Sequence, residues 1–149
     1  MTIFKDFTTL NQAELEVILT WRNDARINRF FKKQTVSAKE HFDFVERLKS
    51  DTNKKYFLVL EKENPIGVVN FVDINKEECE LGLYQAPNVE NHGKILLQSM
   101  LEYALNTLKL KRVKACVYNQ NKKAMKLFLS FDFRIYQQDE IMSCLIKSF

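Results

Sequence analysis

The hydropathy pattern predicts an α/β (α+β) domain, with a mixed, mostly antiparallel sheet of six to seven strands flanked by about four helices. Three observations predict it. Apolar residues alternate with period two in some segments and recur at helical spacing in others. Three strand patterns follow one another with only short polar turns between them. The 149 residues are 46% hydrophobic with 3 Gly and 2 Pro, the make-up of one ordinary domain over residues 1–149.

In chain order, Ile3 to Phe7 reads as a short strand. Leu10, Glu14, Val17, Ile18 and Trp21 recur at helical spacing, which predicts a helix over residues 11–20. Ser37-Ala38-Lys39-Glu40 is a capping box, because the Ser37 hydroxyl can accept from the Glu40 amide while the Glu40 carboxylate reaches back. The helix it opens carries Phe42, Val45 and Leu48 on one stripe. Tyr56 to Leu60 is β-rich, Ile66 to Ile74 alternates, and Cys79, Leu81 and Leu83 alternate with Glu80, Gly82 and Tyr84. These three segments predict an antiparallel meander. Pro87 and Asn88 end the run. A long helix follows, buried through Ile95, Leu97, Met100, Leu101, Ala104, Leu105 and Leu108. Residues 112–118 give another strand, Asn121 caps a short helix with Ala124, Leu127, Phe128 and Phe131 inward, and residues 133–136 and 141–146 give a closing hairpin.

Composition excludes several classes. No uncharged apolar run approaches the roughly 18 residues of a membrane span. Low-complexity and disordered chains lack this density of Leu, Ile, Val and Phe. The charge of +4, from 23 Lys+Arg and 19 Asp+Glu spread along the chain, suits solubility or an anionic small molecule. It calls for neither nucleic acid nor a membrane. Three widely spaced cysteines, Cys79, Cys116 and Cys144, with no Cys-x-x-Cys, argue against a disulfide framework and a zinc site; with two His, no metal is expected. The N-terminal residues lack a signal-peptide pattern, so a cytoplasmic location is expected. Cys116 is expected to be a buried neutral thiol rather than a nucleophile.

The most informative stretch is Asn88-Val89-Glu90-Asn91-His92-Gly93-Lys94-Ile95. A strand ends, a polar turn follows, and a helix starts at a Gly-Lys pair. Free amides and the dipole at a helix N-terminus favour a phosphate group, and Lys94 adds charge. An ordinary helix start is the alternative.

The order of elements around this stretch resembles that of the GCN5-related N-acetyltransferases over nearly the whole chain. Their coenzyme-A loop runs Gln/Arg-x-x-Gly-x-Gly/Ala, and Asn88-x-x-Asn91-x-Gly93 stands in its place with two departures. Asn121-Lys122-Lys123-Ala124, with Leu127-Phe128 and Asp132-Phe133, is similar to their second signature, Asn-x-x-Ala followed by an aromatic residue and Gly-Phe. Within the family, Trp21-Arg22-Asn23, Arg26, Phe30-Phe31 and the Ser37, Glu40-His41, Phe44 spacing resemble the acetyltransferases of pseudaminic acid biosynthesis. Those enzymes acetylate the 4-amino group of UDP-linked 4-amino-4,6-dideoxy-N-acetyl-altrosamine, on the route to flagellin glycosylation.

The resemblance implies acetyl-coenzyme A as co-substrate and direct transfer with both substrates bound. Cofactor contacts are implied at Leu81 and Leu83, where the sheet splays in this family, at Asn88, Asn91, His92, Gly93, Lys94 and Ile95, and at Asn121 and Phe128. Amides near Leu83 and Tyr84 would polarise the thioester carbonyl. Capping is the other role open to Asn121. Many relatives protonate the leaving thiolate with a Tyr at the position of Phe128, so Tyr84, Tyr118, His92 or solvent is expected to substitute. Glu80 is the carboxylate best placed as base, with a solvated strand carboxylate as its alternative. For the nucleotide sugar, Arg22 offers a fork of donors to a phosphate, Phe31 and Phe44 apolar walls, His41 a nucleotide contact, and Asn70 a polar group on the meander. Surface pairing for Arg22, core packing for the phenylalanines and a satisfied buried imidazole for His41 are the competing roles.

The expected partner is therefore a nucleotide-sugar small molecule, and a homodimer is the assembly considered. The competing functions are acetylation of a protein N-terminus or polyamine, and a non-catalytic acyl-coenzyme-A-binding module.

Overall fold

Side-chain caps fix where most of the helices begin. The computed structural model describes residues 2–149. Asn11 and Glu14 form a reciprocal capping box ahead of α1 (Gln12–Arg22), and Ser37 and Glu40 form the expected one ahead of α3 (Ala38–Leu48). Asp24 caps the short α2 (Ala25–Asn28), and Asn121 caps α5 (Lys122–Ser130) through the Ala124 amide. The N-terminus of α4 (Gly93–Asn106) has no side-chain cap.

The strands are β1 (Thr2–Asp6), β2 (Lys55–Glu61), β3 (Asn64–Val72), β4 (Glu78–Gln85), β5 (Arg112–Tyr118), β6 (Arg134–Gln138) and β7 (Met142–Ser148). They form one sheet in the order β1-β2-β3-β4-β5-β7-β6. All pairs are antiparallel except β4–β5. Lys62 and Glu63 both have positive φ, 50° and 70°, which is the twist a two-residue turn between β2 and β3 requires. Pro65 follows opposite Leu60, where the register shifts, so its missing N–H costs little ladder bonding.

Helices cover both faces of the sheet. The larger core lies under α4 and α5 and includes Val59, Val69, Phe71, Leu97, Met100, Val113 and Leu145. Phe71 is fully buried, with the rings of Phe57 and Tyr103 centred 6.1 Å and 5.1 Å away; truncating such a ring to Ala costs about 3–5 kcal/mol. The smaller core joins Leu15 and Ile18 of α1 and Val45 and Leu48 of α3 to Leu58 and Val68. Alternation along each strand sends one set of side chains to each face.

Cys116 and Cys144 stand directly opposite each other in β5 and β7 and are joined by a disulfide. This corrects the expectation of no disulfide and of a buried Cys116 thiol. Counting and spacing carry no information about cross-strand register, and it is register that brings residues 28 apart into contact. The buried free thiol is Cys79, whose pKa burial pushes up to about 12.

Candidate functional site

The first part of the site is the turn into α4. Asn91 has φ 59°, the left-handed conformation that glycine adopts freely and asparagine tolerates better than most residues. It thereby performs the backbone task of the glycine expected there. His92 follows as N-cap, but its N–H donates to Gln85 Oε1 at 2.7 Å, and its Nδ1 lies 2.5 Å from the Glu90 carbonyl. Leu96 is the first residue to bond back into the helix, on the His92 carbonyl. The orphan donors of the first turn are therefore Gly93, Lys94 and Ile95. No acidic side chain occupies that turn, so its positive end is left for an anion. Gly93 lies close to α5: a Cβ there would stand 3.2 Å from Leu127 Cδ2, and that side chain would have to give by a few tenths of an ångström.

The second part is a gap in the sheet. Parallel pairing of β4 with β5 covers only Glu78–Glu80 against Arg112–Lys114, yet β4 runs on to Gln85 and β5 to Tyr118. Beyond Glu80 the two strands diverge, and β4 keeps its ladder with β3 alone. Backbone groups of residues 81–85 on that side are free for an extended ligand, and Leu81 and Leu83 lie along the opening. The gap points toward the α4 turn, which follows β4 directly.

The third part lies on the face of β4 away from α4. Glu80, Gly82 and Tyr84 point there, while Cys79 and Leu81 point into the larger core. Asn70 lies opposite Gly82 and Tyr56 opposite Asn70, so one row crosses three strands. Phe44 closes one side, edge-on to Tyr56 at 4.9 Å, and Phe31 another, edge-on to Tyr84 at 5.9 Å. Arg22 sets its guanidinium 4.0 Å above the Phe31 ring, close enough to Tyr56 and Tyr84 to favour their ionised forms.

The electrostatics follow from burial. The Glu80 carboxyl is half-buried, and its pKa is raised first by that burial and then by the Asp73 carboxylate, with Lys114 opposing. Burial raises both tyrosines, Tyr84 strongly, so each phenol keeps its proton at neutral pH. Burial also lowers Arg22.

Arg22, Phe31, Phe44, Asn70, Glu80 and Tyr84 are thus brought together. Tyr118 shares their face by alternation but sits at the far end of β5. Other residues have different surroundings. His41 is buried, and Nε2 donates to the Leu15 carbonyl at 2.9 Å, tying α3 to α1; burial lowers its pKa and keeps it neutral. Asn121 spends its carbonyl oxygen on the α5 cap. Phe128 is 4% exposed and packs edge-on against Phe133 in the larger core, because the register of α5 turns it inward. Asn88 is exposed in the turn before α4. Sequence reasoning missed Tyr56: its strand was legible, but its place beside Asn70 depends on the β2–β3 register.

Among the described residues, no cluster of three or more His, Cys, Asp or Glu suits a metal ion, and no helix is long and apolar enough to cross a membrane.

Residues 7–134 match the family model described as an acetyltransferase (GNAT) domain. The chain is 43% and 40% identical to acetyltransferase PseH from two strains of Campylobacter jejuni subsp. jejuni, over 140 residues that cover 94% of this chain and 89% of each relative. The crystal structure of Campylobacter jejuni N-acetyltransferase PseH in complex with acetyl coenzyme A superposes with a TM-score of 0.87 at 37% identity, covering 99% of both chains. Spermidine N-acetyltransferase from Vibrio cholerae, in complex with CoA and spermine, also superposes with a TM-score of 0.87. At 19% identity, over 99% of this chain and 95% of that one, this likeness is one of fold.

Proposed function

Since the chain belongs to the GNAT acetyltransferase family, we propose that it transfers acetyl from acetyl-coenzyme A to the 4-amino group of a UDP-linked 4-amino-4,6-dideoxy-N-acetyl-altrosamine, in pseudaminic acid biosynthesis. One observation carries the acceptor reading. A cationic guanidinium, two phenols and an amide line a half-buried face beside the gap in the sheet, together with the Glu80 carboxylate. That set suits an anionic, hydroxyl-bearing acceptor better than a polycation. The likeness to PseH points the same way.

The residues present fit acetyl-coenzyme A. The uncapped first turn of α4, with Lys94 beside it, offers amide donors to a diphosphate. The free edge of β4 over residues 81–85 offers an amide-bearing arm strand-like hydrogen bonds. When bound, the co-substrate supplies an acyl thioester open to attack by an amine. Amides near Leu83 and Tyr84 would be the donors for the charge that develops on its carbonyl oxygen. Glu80, made more basic than an ordinary carboxylate by its burial, accepts the proton lost by the amine. Tyr84 and Tyr118 are the phenols on this face that can return a proton to the thiolate, since Phe128 has none to give. Arg22, Tyr56 and Asn70 orient the sugar nucleotide between the walls of Phe31 and Phe44, and this positioning supplies much of the rate. The same reading places the enzyme in the cytoplasm, as one acetyltransferase domain.

Thiol release from acetyl-coenzyme A tests it. Release with the UDP-4-amino sugar, and little with spermidine or an N-terminal peptide, is the expected result. Preference for spermidine overturns the acceptor. A tight coenzyme-A complex that turns over no amine overturns the enzyme in favour of a binding module.

A further inference from the structure

The wall carrying Phe31 belongs to a segment with little structure of its own. Residues 29–36 lie between α2 and α3, and all but Phe30, Phe31 and Val36 are exposed. Two adjacent residues at the end of α1 hold them. Asn23 bonds Val36 in both directions: its Nδ2 donates to the Val36 carbonyl at 2.8 Å, and the Val36 N–H donates to Asn23 Oδ1 at 2.7 Å. Arg22 donates to the carbonyls of Lys33 and Gln34 and lies over Phe31. The carboxamide thus imitates a strand partner for a backbone that has none. Each residue of an irregular segment must lose backbone freedom to stay in one place, and such paired bonds offset that loss.

The geometry points to Asn23 as a positioning residue that sets recognition of the acceptor. It is exposed, faces none of the acceptor-site groups, and acts only through the segment it fastens. Fixing Val36 fixes the C-terminal end of the stretch whose middle Arg22 grips. Together the two hold the Phe31 ring at Tyr84. Without the Asn23 bonds, Arg22 alone holds the segment, so Phe31 leaves Tyr84 more readily and exposes the half-buried face around Tyr84, Tyr56 and Glu80 to water. The turn into α4 and the gap between β4 and β5 share no bond with Asn23, so handling of acetyl-coenzyme A is spared. This inference rests on the acceptor reading above, and its test separates the two.

The test compares Asn23→Ala and Asn23→Asp with the unaltered enzyme, using UDP-4-amino-4,6-dideoxy-N-acetyl-altrosamine. Losing the wall in Asn23→Ala should raise KM for the sugar about tenfold, with kcat and the KM for acetyl-coenzyme A held within about twofold. Hydrogen exchange at the Val36 amide should quicken. Asn23→Asp keeps the acceptor for the Val36 N–H and loses the donor, so its sugar KM should fall between the other two. Faster exchange at Val36 with an unchanged sugar KM overturns the inference. So does a rise in both KM values together with a lower Tm, the mark of a merely structural residue. If the unaltered enzyme does not turn over this sugar, the acceptor reading fails and this inference fails with it.

Discussion

Asn70 lays its carboxamide across Gly82: a Cβ on Gly82 would stand 2.7 Å from Asn70 Oδ1 and 2.8 Å from Nδ2. Those atoms end a side chain that can swivel, so Gly82→Ala should fold with a stability loss of about 1 kcal/mol or less. Asn70 would be pushed off the acceptor face, and the sugar KM should rise. Gly67 is a sharp contrast. Its Cβ would meet the Tyr84 backbone carbonyl oxygen at 2.3 Å, and backbone in mid-sheet cannot yield. Gly67→Ala should cost about 3 kcal/mol. Thermal melts and sugar kinetics on the two variants check the pair. Equal melting losses would mean that Asn70 is as rigid as backbone.

Two positions where the family pattern has glycine are filled here by Asn91 and Asp132, with φ of 59° and 67°. The backbone shape survives because these side chains tolerate the left-handed region better than most. Asn91→Gly and Asp132→Gly should be neutral or slightly stabilising. Asn91→Val and Asp132→Val should each cost about 1–2 kcal/mol, since a branched Cβ crowds the carbonyl. Denaturant midpoints report the difference, and a valine variant as stable as its glycine counterpart would contradict it.

The fold was legible because its signals are local. Period-two alternation in β3 and β4, the Ser37–Glu40 capping box and the stripe of α4 each sit within a few residues of one another. The face of Glu80 was legible for the same reason. What stayed hidden depends on register. Nothing near Tyr56 announces that it meets Asn70, nor anything near Cys116 that it meets Cys144. Helical spacing placed His41 at the edge of a buried face but could not show the Leu15 carbonyl waiting there. The coenzyme-A loop departs from the family letters at Asn88 and Asn91, yet Asn91 takes the left-handed φ that glycine adopts freely.

The Cys116–Cys144 disulfide closes a loop with a sequence separation of 28. Cross-linking a loop of this length restricts the unfolded chain by about 3 kcal/mol in the chain-entropy view. For a domain of this size that corresponds to a Tm shift on the order of 10 °C. A phosphine reductant should therefore lower Tm, and Cys116→Ser should lower it as much and make the protein insensitive to reductant. Turnover should persist, because neither sulfur serves as nucleophile. An unchanged Tm on reduction would mean the two sulfurs are not bonded in solution.

His41 is buried and ties α3 to α1. His41→Ala removes the bond to Leu15 and leaves a cavity between α1 and α3, at a cost of about 3 kcal/mol. Burial lowers the imidazole pKa in the folded protein, so the unfolded chain binds its proton first. The stability this histidine contributes is therefore present above its ordinary value, near 6.5, and lost as pH falls from there toward the folded value. Melting curves should show that decline in the unaltered protein and a shallower one in His41→Ala. A sugar KM that rises in the variant while its Tm holds would return His41 to the nucleotide site.

Glu80 sets function against stability. Its pKa is raised in the fold, so the folded protein holds that proton to higher pH than the unfolded chain does. Stability attributable to Glu80 is greatest below its unfolded value, falls as pH rises toward the folded value, and stays lower above it. Glu80→Gln has no charge to desolvate. The variant should therefore melt at a higher temperature than the unaltered enzyme at neutral pH, with the advantage vanishing in acid. The same substitution removes the group that takes the amine proton, and kcat should fall by about 10²–10⁴. In the unaltered enzyme kcat/KM should climb with pH through a limb above the usual carboxylate range, because only the ionised form is a base. A structural carboxylate would give the opposite pairing, a Gln variant that keeps its activity and loses stability, and that outcome would remove Glu80 from the mechanism.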